Sequence, residues 1–405
     1  MALRVWYTCC NVKRQHGYVF RLTPNAKQDT LLRQFVGCSR LVWNAILSEN
    51  EFRYAEGDPL PIGRKSFCSR LLDLKAKYPF LKDAHSQPLQ QTLNDLVKAY
   101  ERAFDPKLAA AQPTFKKKHG IQGIRFPQGF RVENKRVSLP KIGWIGFRCS
   151  ARTMKRKLEG KIKSVTVKLN AGLWYVSFAT EREVEDPIHP MMGEVVGIDL
   201  GVNRWAALAD GTFLEGANAF KKHESRLAIL QQRFAKCVKF SKNWAKIKRK
   251  ITRLHIKVAD VRKDQIHKAS CAISKNHAVV VKEDLRVVNM TASAKGTIEE
   301  PGKNVAAKSG LNRRIQDQGW GEFDRQLAYK LAWLGGKLLR VDPRNTSRKC
   351  NTCGHISKEN RLTQESFLCV ECGHAANADT NAAKNIEGRA GWARIVCESR
   401  KLCAA

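Results

Sequence analysis

The sequence predicts a multidomain α+β protein, and three observations carry that prediction. Its 405 residues exceed what a single hydrophobic core usually serves, so about two to four domains are expected. The apolar pattern changes period twice, from helical spacing to short alternating segments and then to a mixture of both. Near the C-terminal end, Cys350-x-x-Cys353 and Cys369-x-x-Cys372 stand fifteen residues apart. That is the spacing of a small segment held by a metal rather than by a core of its own.

The elements follow in order. "GYVFRLTP" (17–24) alternates like a strand and ends at Thr23-Pro24, a cap and first-turn proline for a helix. In that helix Leu32, Phe35, Val36, Ser39, Val42 and Ile46 recur on one face, and helical patterns continue to about Ala110, interrupted by "GDPLPIG" and "SQP". From "QPTFKKKHG" onward the texture is that of strands: "VENKRVSLPKIGWIGFR", "KIKSVTVKLNAG" and "LWYVSFATE". A small β-barrel or sandwich is expected, completed by the early strand, which makes the helices an insertion. "EVEDPIHPMMGE" (183–194) reads as a linker.

A third region opens with "VVGIDLGVNRWAALADGTFL", a strand, a tight turn and a second strand. Residues 221–276 read as a long basic helical stretch with Ile247, Ile251, Leu254 and Val258 at helical spacing. "AVVVKEDLRVV" is a buried-type strand. The Gly/Lys/Asn-rich stretch from Thr291 to Asp317 reads as a mobile loop. A helix with Trp320, Phe323, Leu327, Leu331 and Leu334 on one side follows, and then the strand "KLLRVD".

Composition narrows the partners. Lys and Arg number 73 against 37 Asp and Glu, a formal net charge of +36. Such a surplus calls for a polyanion. A merely solvated surface interleaves both signs, whereas residues 236–257 contain no acid at all. Membrane spans are not expected, because no run of about 18 apolar residues occurs, and the start of the chain lacks a signal-peptide pattern. A cytoplasmic location is expected.

Of the thirteen cysteines, only Cys350, Cys353, Cys369 and Cys372 have metal spacing. Four thiolates fill the tetrahedral sphere of Zn2+ and leave no position for a reacting water, so the expected site is structural. His355 and His374 follow the pairs as turn residues. A segment this short cannot bury its own core, and metal binding supplies its folding energy.

Three carboxylates stand out. In "EVVGIDLGVN", alternation places Val196, Ile198 and Leu200 on one face and Asp199 on the other, between Gly197 and Gly201. A charge in an apolar strand is costly to bury unless a cation meets it; the alternative is a strand-end aspartate capping a turn. Glu283 ends "AVVVKE" on the face of Val279 and Val281, or is a solvated strand-end acid. Asp379 begins a helix whose Ala382, Ala383 and Ile386 share its face, or is an ordinary N-cap. Carboxylates from separate elements can converge on two Mg2+ ions about 4 Å apart for phosphodiester cleavage. No P-loop, Rossmann or Ser/His/Asp pattern competes.

Taken together, "RLTPNAKQ", "PTFKKK", "SLPKIGWI", "GIDLGVN", "VVVKEDL", "PRNTSRKCNTCGH", "CVECGH" and "NADTNAAKNI" resemble the TnpB family of transposon-encoded RNA-guided DNA nucleases, relatives of the type V CRISPR effectors, along nearly the whole chain. The resemblance implies a β-barrel wedge domain (1–24 and 111–190) and an inserted helical recognition domain (25–110). It further implies an RNase H-like RuvC nuclease domain (191–342 and 374–405) and a zinc ribbon (343–373) between that domain's last strand and last helix. The catalytic triad maps to Asp199, Glu283 and Asp379, with two Mg2+ ions as cofactors beside the structural Zn2+. The implied partners are a guide RNA from the transposon end and double-stranded target DNA. Many relatives have Asp-Arg-Asp where this chain reads Asn377-Ala378-Asp379; the last acid is kept.

A guide–target heteroduplex is held through its backbone, which suits the charge. Lys116, Lys117, Lys118 and Arg125 are expected phosphate contacts, with a solvated charge run as the alternative. Within "SQPLQQ", Gln87, Gln90 and Gln91 are candidate base-edge readers, or solvated helix-surface residues. The stretch 291–317 is a lid over the nuclease site or a disordered loop. Rival readings are a nuclease-inactive RNA-guided repressor, an RNA-independent transposase and a junction resolvase. Guide sequence, flanking DNA motif and oligomeric state are not legible.

Overall fold

The computed structural model describes residues 11–108, 110–118, 120, 122–149, 158–185, 187–361 and 363–391. The chain divides into two compact units, one ending at Glu185 and the other following it. The predicted domain boundaries at 1–24, 111–190 and 374–405 include residues 1–10, 150–157 and 392–405, which lie outside the described residues.

The first unit holds an antiparallel sheet of seven strands: β1 (Asn11–Thr23), β2 (Gln122–Phe126), β3 (Arg131–Glu133), β4 (Arg136–Leu139), β5 (Gly143–Arg148), β6 (Lys161–Asn170) and β7 (Leu173–Glu185). Their order is β2-β6-β7-β1-β5-β4-β3. The early strand therefore sits inside the sheet between β7 and β5, which makes the following helices an insertion, as the sequence suggested. Among the described residues the hydrogen-bonded ladder runs open from β2 to β3 rather than closing on itself. β7 extends to Glu185, so the linker starts later than expected.

The insertion comprises α1 (Ala26–Ala55), α2 (Arg64–Lys77) and α3 (Ser86–Phe104). Every residue expected on the buried face of α1 is buried. Its cap is Asn25, not Thr23: the Asn25 side chain accepts from Gln28 N while Gln28 Oε1 accepts from Asn25 N. Two reciprocal bonds outweigh a first-turn proline; Thr23 instead ends β1 and donates to the carbonyl of Gly146 at 2.8 Å. "SQP" does not interrupt the helices but starts α3, because Pro88 falls in the first turn, where its missing N–H has no helical partner to lose.

The second unit is a five-stranded sheet with helices on both faces. Its strands are β8 (Val195–Leu200), β9 (Ala206–Leu208), β10 (Phe213–Leu214), β11 (Val279–Glu283) and β12 (Lys337–Val341), in the order β10-β9-β8-β11-β12. β8, β11 and β12 are parallel, and β9 and β10 turn back antiparallel. Between them lie α4 (Glu224–Ala235), α5 (Lys242–Asn276), α6 (Val305–Gln318) and α7 (Trp320–Leu334).

Two expectations need correction. The basic stretch 221–276 is a hairpin broken at 236–241, where the Ser241 hydroxyl caps α5 by accepting from Trp244 N. The stretch 291–317 is not all loop: its second half is α6, held by Trp205 Nε1 donating to the Gln318 carbonyl at 2.9 Å.

Val196, Ile198 and Val280 pack with Ile266 and Ile273 of α5 and with Phe323, Leu327 and Leu331 of α7. On the opposite face, Val279 and Val281 pack with Ile386 of the last helix, α8 (Ala378–Gly388). Between β12 and α8 come the cysteine pairs and a short hairpin, β13 (Ser366–Leu368) with β14 (Ala375–Asn377). Among the described residues no helix is long and apolar enough to cross a membrane.

Candidate active site and metal centre

Strand alternation, parallel register and one glycine assemble the acids. The last register pair between β11 and β8 joins Lys282 to Ile198. One residue further along the two parallel strands stand Glu283 and Asp199, on the sheet face that carries α8. That helix lies close because position 197 is glycine: a Cβ there would come within 2.1 Å of the Ala383 carbonyl oxygen. Ala382 and Ala383, 1% and 0% exposed, complete the close approach.

Asp379 sits in the first turn of α8, but it is not the cap. Asn377 is, accepting from Asp379 N at 3.1 Å and from Thr380 N at 3.3 Å. The Asp379 carboxylate is thereby free to face the cleft, where its Oδ1 accepts from the Arg361 guanidinium at 3.1 Å.

The three acids share one electrostatic environment. Burial pushes Asp199 up to about 7, the negative charges of Glu283 and Asp379 push it the same way, and only Arg361 and the Leu200 backbone pull it back. Burial also raises Glu283, against the Thr346 hydroxyl that donates to its Oε1 and against Arg389 and Lys282. Crowded, poorly hydrated carboxylates of this kind are the donor set that hard divalent cations take. The fit is one of donor chemistry: among the described residues only the four cysteines bring three or more ligating atoms within 4.8 Å of one another.

Lys282, next to Glu283, points to the other face and is only 5% exposed. It is neutralised there: Nζ lies 3.0 Å from Asp324 Oδ1, and Asp324 also pairs with Arg340 at 2.8 Å. Lys282 Nζ donates to the Glu283 carbonyl as well, at 3.0 Å, which fixes the strand end that carries the acid.

Beside the acids an open cleft of about 270 Å³ is lined by Asn203, Arg204, Arg314, Arg361 and Gln364 together with Asp379. Arg361 went unnoticed in the sequence, where it is one arginine among many. Its position between the cysteine pairs was the available signal, since the segment bearing it leaves and rejoins the sheet next to two of the acids.

The four cysteine Sγ atoms lie within 4.8 Å of one another. Cys350 and Cys372 are 3.7 Å apart, and Cys353 and Cys369 3.5 Å. Four thiolates about 2.3 Å from a tetrahedral ion stand about 3.8 Å apart, so the set fits zinc. Each pair forms the same knuckle: Gly354 N donates to the Cys350 carbonyl and Gly373 N to the Cys369 carbonyl, both at 3.0 Å. Both glycines have positive φ, 83° and 69°. The main-chain carbonyls of His355 and His374 accept from Cys350 N and Cys369 N, so these histidines are turn residues as expected.

The segment is anchored to α8 by buried asparagines. Asn381 accepts from Asn351 N and donates to the Lys349 carbonyl at 2.8 Å, and Asn385 donates to the Thr346 carbonyl at 2.9 Å.

The nucleic-acid candidates lie in the first unit. Lys116 is exposed and rests its ammonium on the Trp43 ring, 3.5 Å from the centroid. Lys117 and Lys118 are exposed. Arg125 is 3.6 Å from Asp95, which also accepts from Gln91 at 2.9 Å. Gln90 is exposed, while Gln87 Oε1 is buried without a partner. Two of the predicted contacts, Arg125 and Gln91, thus share an acid.

Comparison with known proteins bears on all of this. Residues 177–294 match a family described as "Probable transposase", 320–386 one described as "Cas12f1-like, TNB domain", and 14–58 one described as "Helix-turn-helix domain". The last segment is here a strand followed by one continuous helix. A solved Cas12f1-sgRNA-target DNA complex contains a chain of similar fold, with TM-score 0.55 and 15% identity over 93% of this chain and 99% of that one. The Escherichia coli (strain K12) protein "Putative RNA-guided DNA endonuclease InsQ" is 47% identical over 391 residues, 95% of this chain and 94% of that protein. The Streptomyces pristinaespiralis protein "Putative RNA-guided DNA endonuclease" is 30% identical over 393 residues, 95% of this chain and 91% of that one. Similarity of that extent decides the family: the chain belongs to the TnpB family of transposon-encoded RNA-guided nucleases.

Proposed function

We propose that this protein is the RNA-guided DNA endonuclease of a transposable element, acting in the prokaryotic cytoplasm, with Asp199, Glu283 and Asp379 as its catalytic carboxylates. The observation that carries the proposal is geometric: Asp199 and Glu283 stand side by side at the ends of two parallel strands, and Asp379 lies in the first turn of the helix packed on that same face, although the three come from distant parts of the sequence. Nothing in folding requires three acids to crowd together, and the crowding costs stability. In this reading residues 191–342 and 374–405 form the RNase H-like RuvC domain, 343–373 the zinc ribbon, 25–110 the recognition helices and 1–24 with 111–190 the wedge.

The chemistry that two bound Mg2+ ions supply at such a cluster is a water of lowered pKa and charge stabilisation at the phosphorus. The chain's own groups do the rest. Asp199, Glu283 and Asp379 would provide the oxygen ligands, and the Thr346 hydroxyl and the Lys282 ammonium fix Glu283 from two sides. Arg361 orients Asp379 and places a guanidinium where the scissile phosphate gains charge. Arg204 and Arg314 line the same cleft and suit the flanking phosphates. Zn2+ at the four cysteines holds the segment that carries Arg361.

The test is cleavage of duplex DNA by protein purified with the RNA of its own locus, in Mg2+. Guide-dependent cutting that Asp199→Asn abolishes supports the proposal. Cutting that ignores the guide, or that survives the substitution, refutes it. The intact set of acids favours this reading over a nuclease-inactive repressor.

A further inference from the structure

The α4–α5 hairpin of the second unit carries a feature that the acid centre does not use. Between the two helices lies an open groove of about 590 Å³ lined by the apolar Ile229, Leu230 and Leu254 and by five cations, Arg226, Arg233, Lys250, Arg253 and Lys257. No carboxylate lines it, and among the described residues none of the five cations forms an ion pair. Some cations of this unit are paired, as Arg313 is with Glu224, Arg262 with Asp317 and Arg340 with Asp324. All five cations are exposed, and together they give the groove a positive potential that suits an anion.

The tip of the hairpin gives the second observation. Phe240 is 87% exposed and Val238 78%. Phe240 also has φ of 66°, the left-handed region that a bulky residue enters only at a cost. It leans on Trp244, 5.5 Å between ring centroids, and Trp244 in turn leans on Phe234 at 5.3 Å. Lys248 lies over the Trp244 ring at 4.5 Å. Water does not favour an aromatic held outward in a strained turn, but a planar partner does.

A cationic track that ends at an exposed aromatic platform fits a polynucleotide with at least one unstacked base. We propose that the α4–α5 hairpin binds an unpaired stretch of RNA, with phosphates in the five-cation groove and a base on Phe240. RNA is favoured over DNA because a folded RNA offers loops and bulges whose bases are already splayed, whereas the bases of duplex DNA are stacked. The inference rests on the RNA-guided reading and assigns part of the guide's binding surface to this hairpin.

The test uses the full-length chain without divalent metal and a single-stranded RNA of about 20 nucleotides containing 4-thiouridine, with the same sequence as single-stranded and as duplex DNA in parallel. Ultraviolet cross-linking should join the RNA to the peptide containing Phe240. Phe240→Ser should lose that cross-link and weaken binding about tenfold. Arg226→Gln with Arg233→Gln and Lys257→Gln should weaken it further and lower the log–log salt slope by about 2, with thermal unfolding unchanged. A cross-link elsewhere, or affinity and salt slope untouched by both variants, overturns the site; equal binding of the single-stranded DNA overturns the choice of RNA. Because no cutting is read, the Asp199→Asn chain should bind alike: an active nuclease whose RNA affinity ignores the hairpin sinks this inference alone, and an inactive chain that binds through it sinks only the nuclease reading.

Discussion

The acid cluster and the cysteine cluster lie in the same unit, and both gather side chains of types that can ligate metals, yet they are assembled in opposite ways. The cysteines come from two local knuckles within 23 residues of sequence, each shaped by its own backbone bonds and a positive-φ glycine. The acids come from β8, β11 and α8 and meet only because a parallel sheet and a helix put them together. One site is closed by four thiolates; the other lies beside an open cleft with an arginine at its edge. The first can only hold structure, and the second has room for a substrate.

The comparison breaks most sharply at Asp199. Asp199→Asn should lower guide-dependent cleavage by about a thousandfold or more while leaving RNA binding intact, as measured by cleavage and filter binding in parallel. If the acids merely filled a strand end, cutting would persist.

The cysteine site should fail differently. Cys350→Ser with Cys353→Ser should remove about one zinc per chain and unfold the ribbon, seen as protease sensitivity confined to residues 343–373. Activity should fall because Arg361 loses its support. A metal-free protein of full activity would refute the structural role.

Between these two stands Gly197→Ala, which leaves every ligand in place. The added methyl group meets the Ala383 carbonyl, so α8 must shift, at a cost of about 2–4 kcal/mol in chemical denaturation and with loss of cleavage. A stable, active variant would show that the close approach is not needed.

Arg361→Gln should cost less, about 10- to 100-fold in cleavage rate, with the zinc content unchanged. That outcome would separate what the ribbon presents to the acids from what holds the ribbon.

The smallest effect is a dependence on pH. A carboxyl whose folded value is raised binds more protons folded than unfolded, so its contribution to stability is present at low pH and lost as pH climbs from about 4 through about 7. Metal-free protein should therefore melt a few degrees lower at pH 8 than at pH 5 on this account, and Mg2+ should restore most of the difference at pH 8. A melting temperature that rises over this range and ignores Mg2+ would contradict the coupling of the acids.

Local pattern carried much of the architecture. The face of α1, the alternation around Asp199 and Glu283, the packed face of α8 and the knuckles all follow from periods of 2 and 3.6 residues and from short spacings. Reading failed where competing local bonds decided the outcome. The Asn25–Gln28 capping box displaced Thr23 as the cap of α1, and six residues broke the basic stretch into a hairpin. The helix inside 291–317 was hidden by its own composition, since α6 is held by Trp205 rather than by propensity.

The sequence by itself singled out the candidate ligands, thiolates at knuckle spacing and acids inside apolar strands. Only the tertiary structure decided that Glu283 stands beside Asp199, that Arg361 reaches Asp379 and that five cations line the α4–α5 groove. The reason is that side-chain direction is a local property of the backbone, whereas the meeting of residues far apart in the chain depends on register and helix packing, which no single segment encodes.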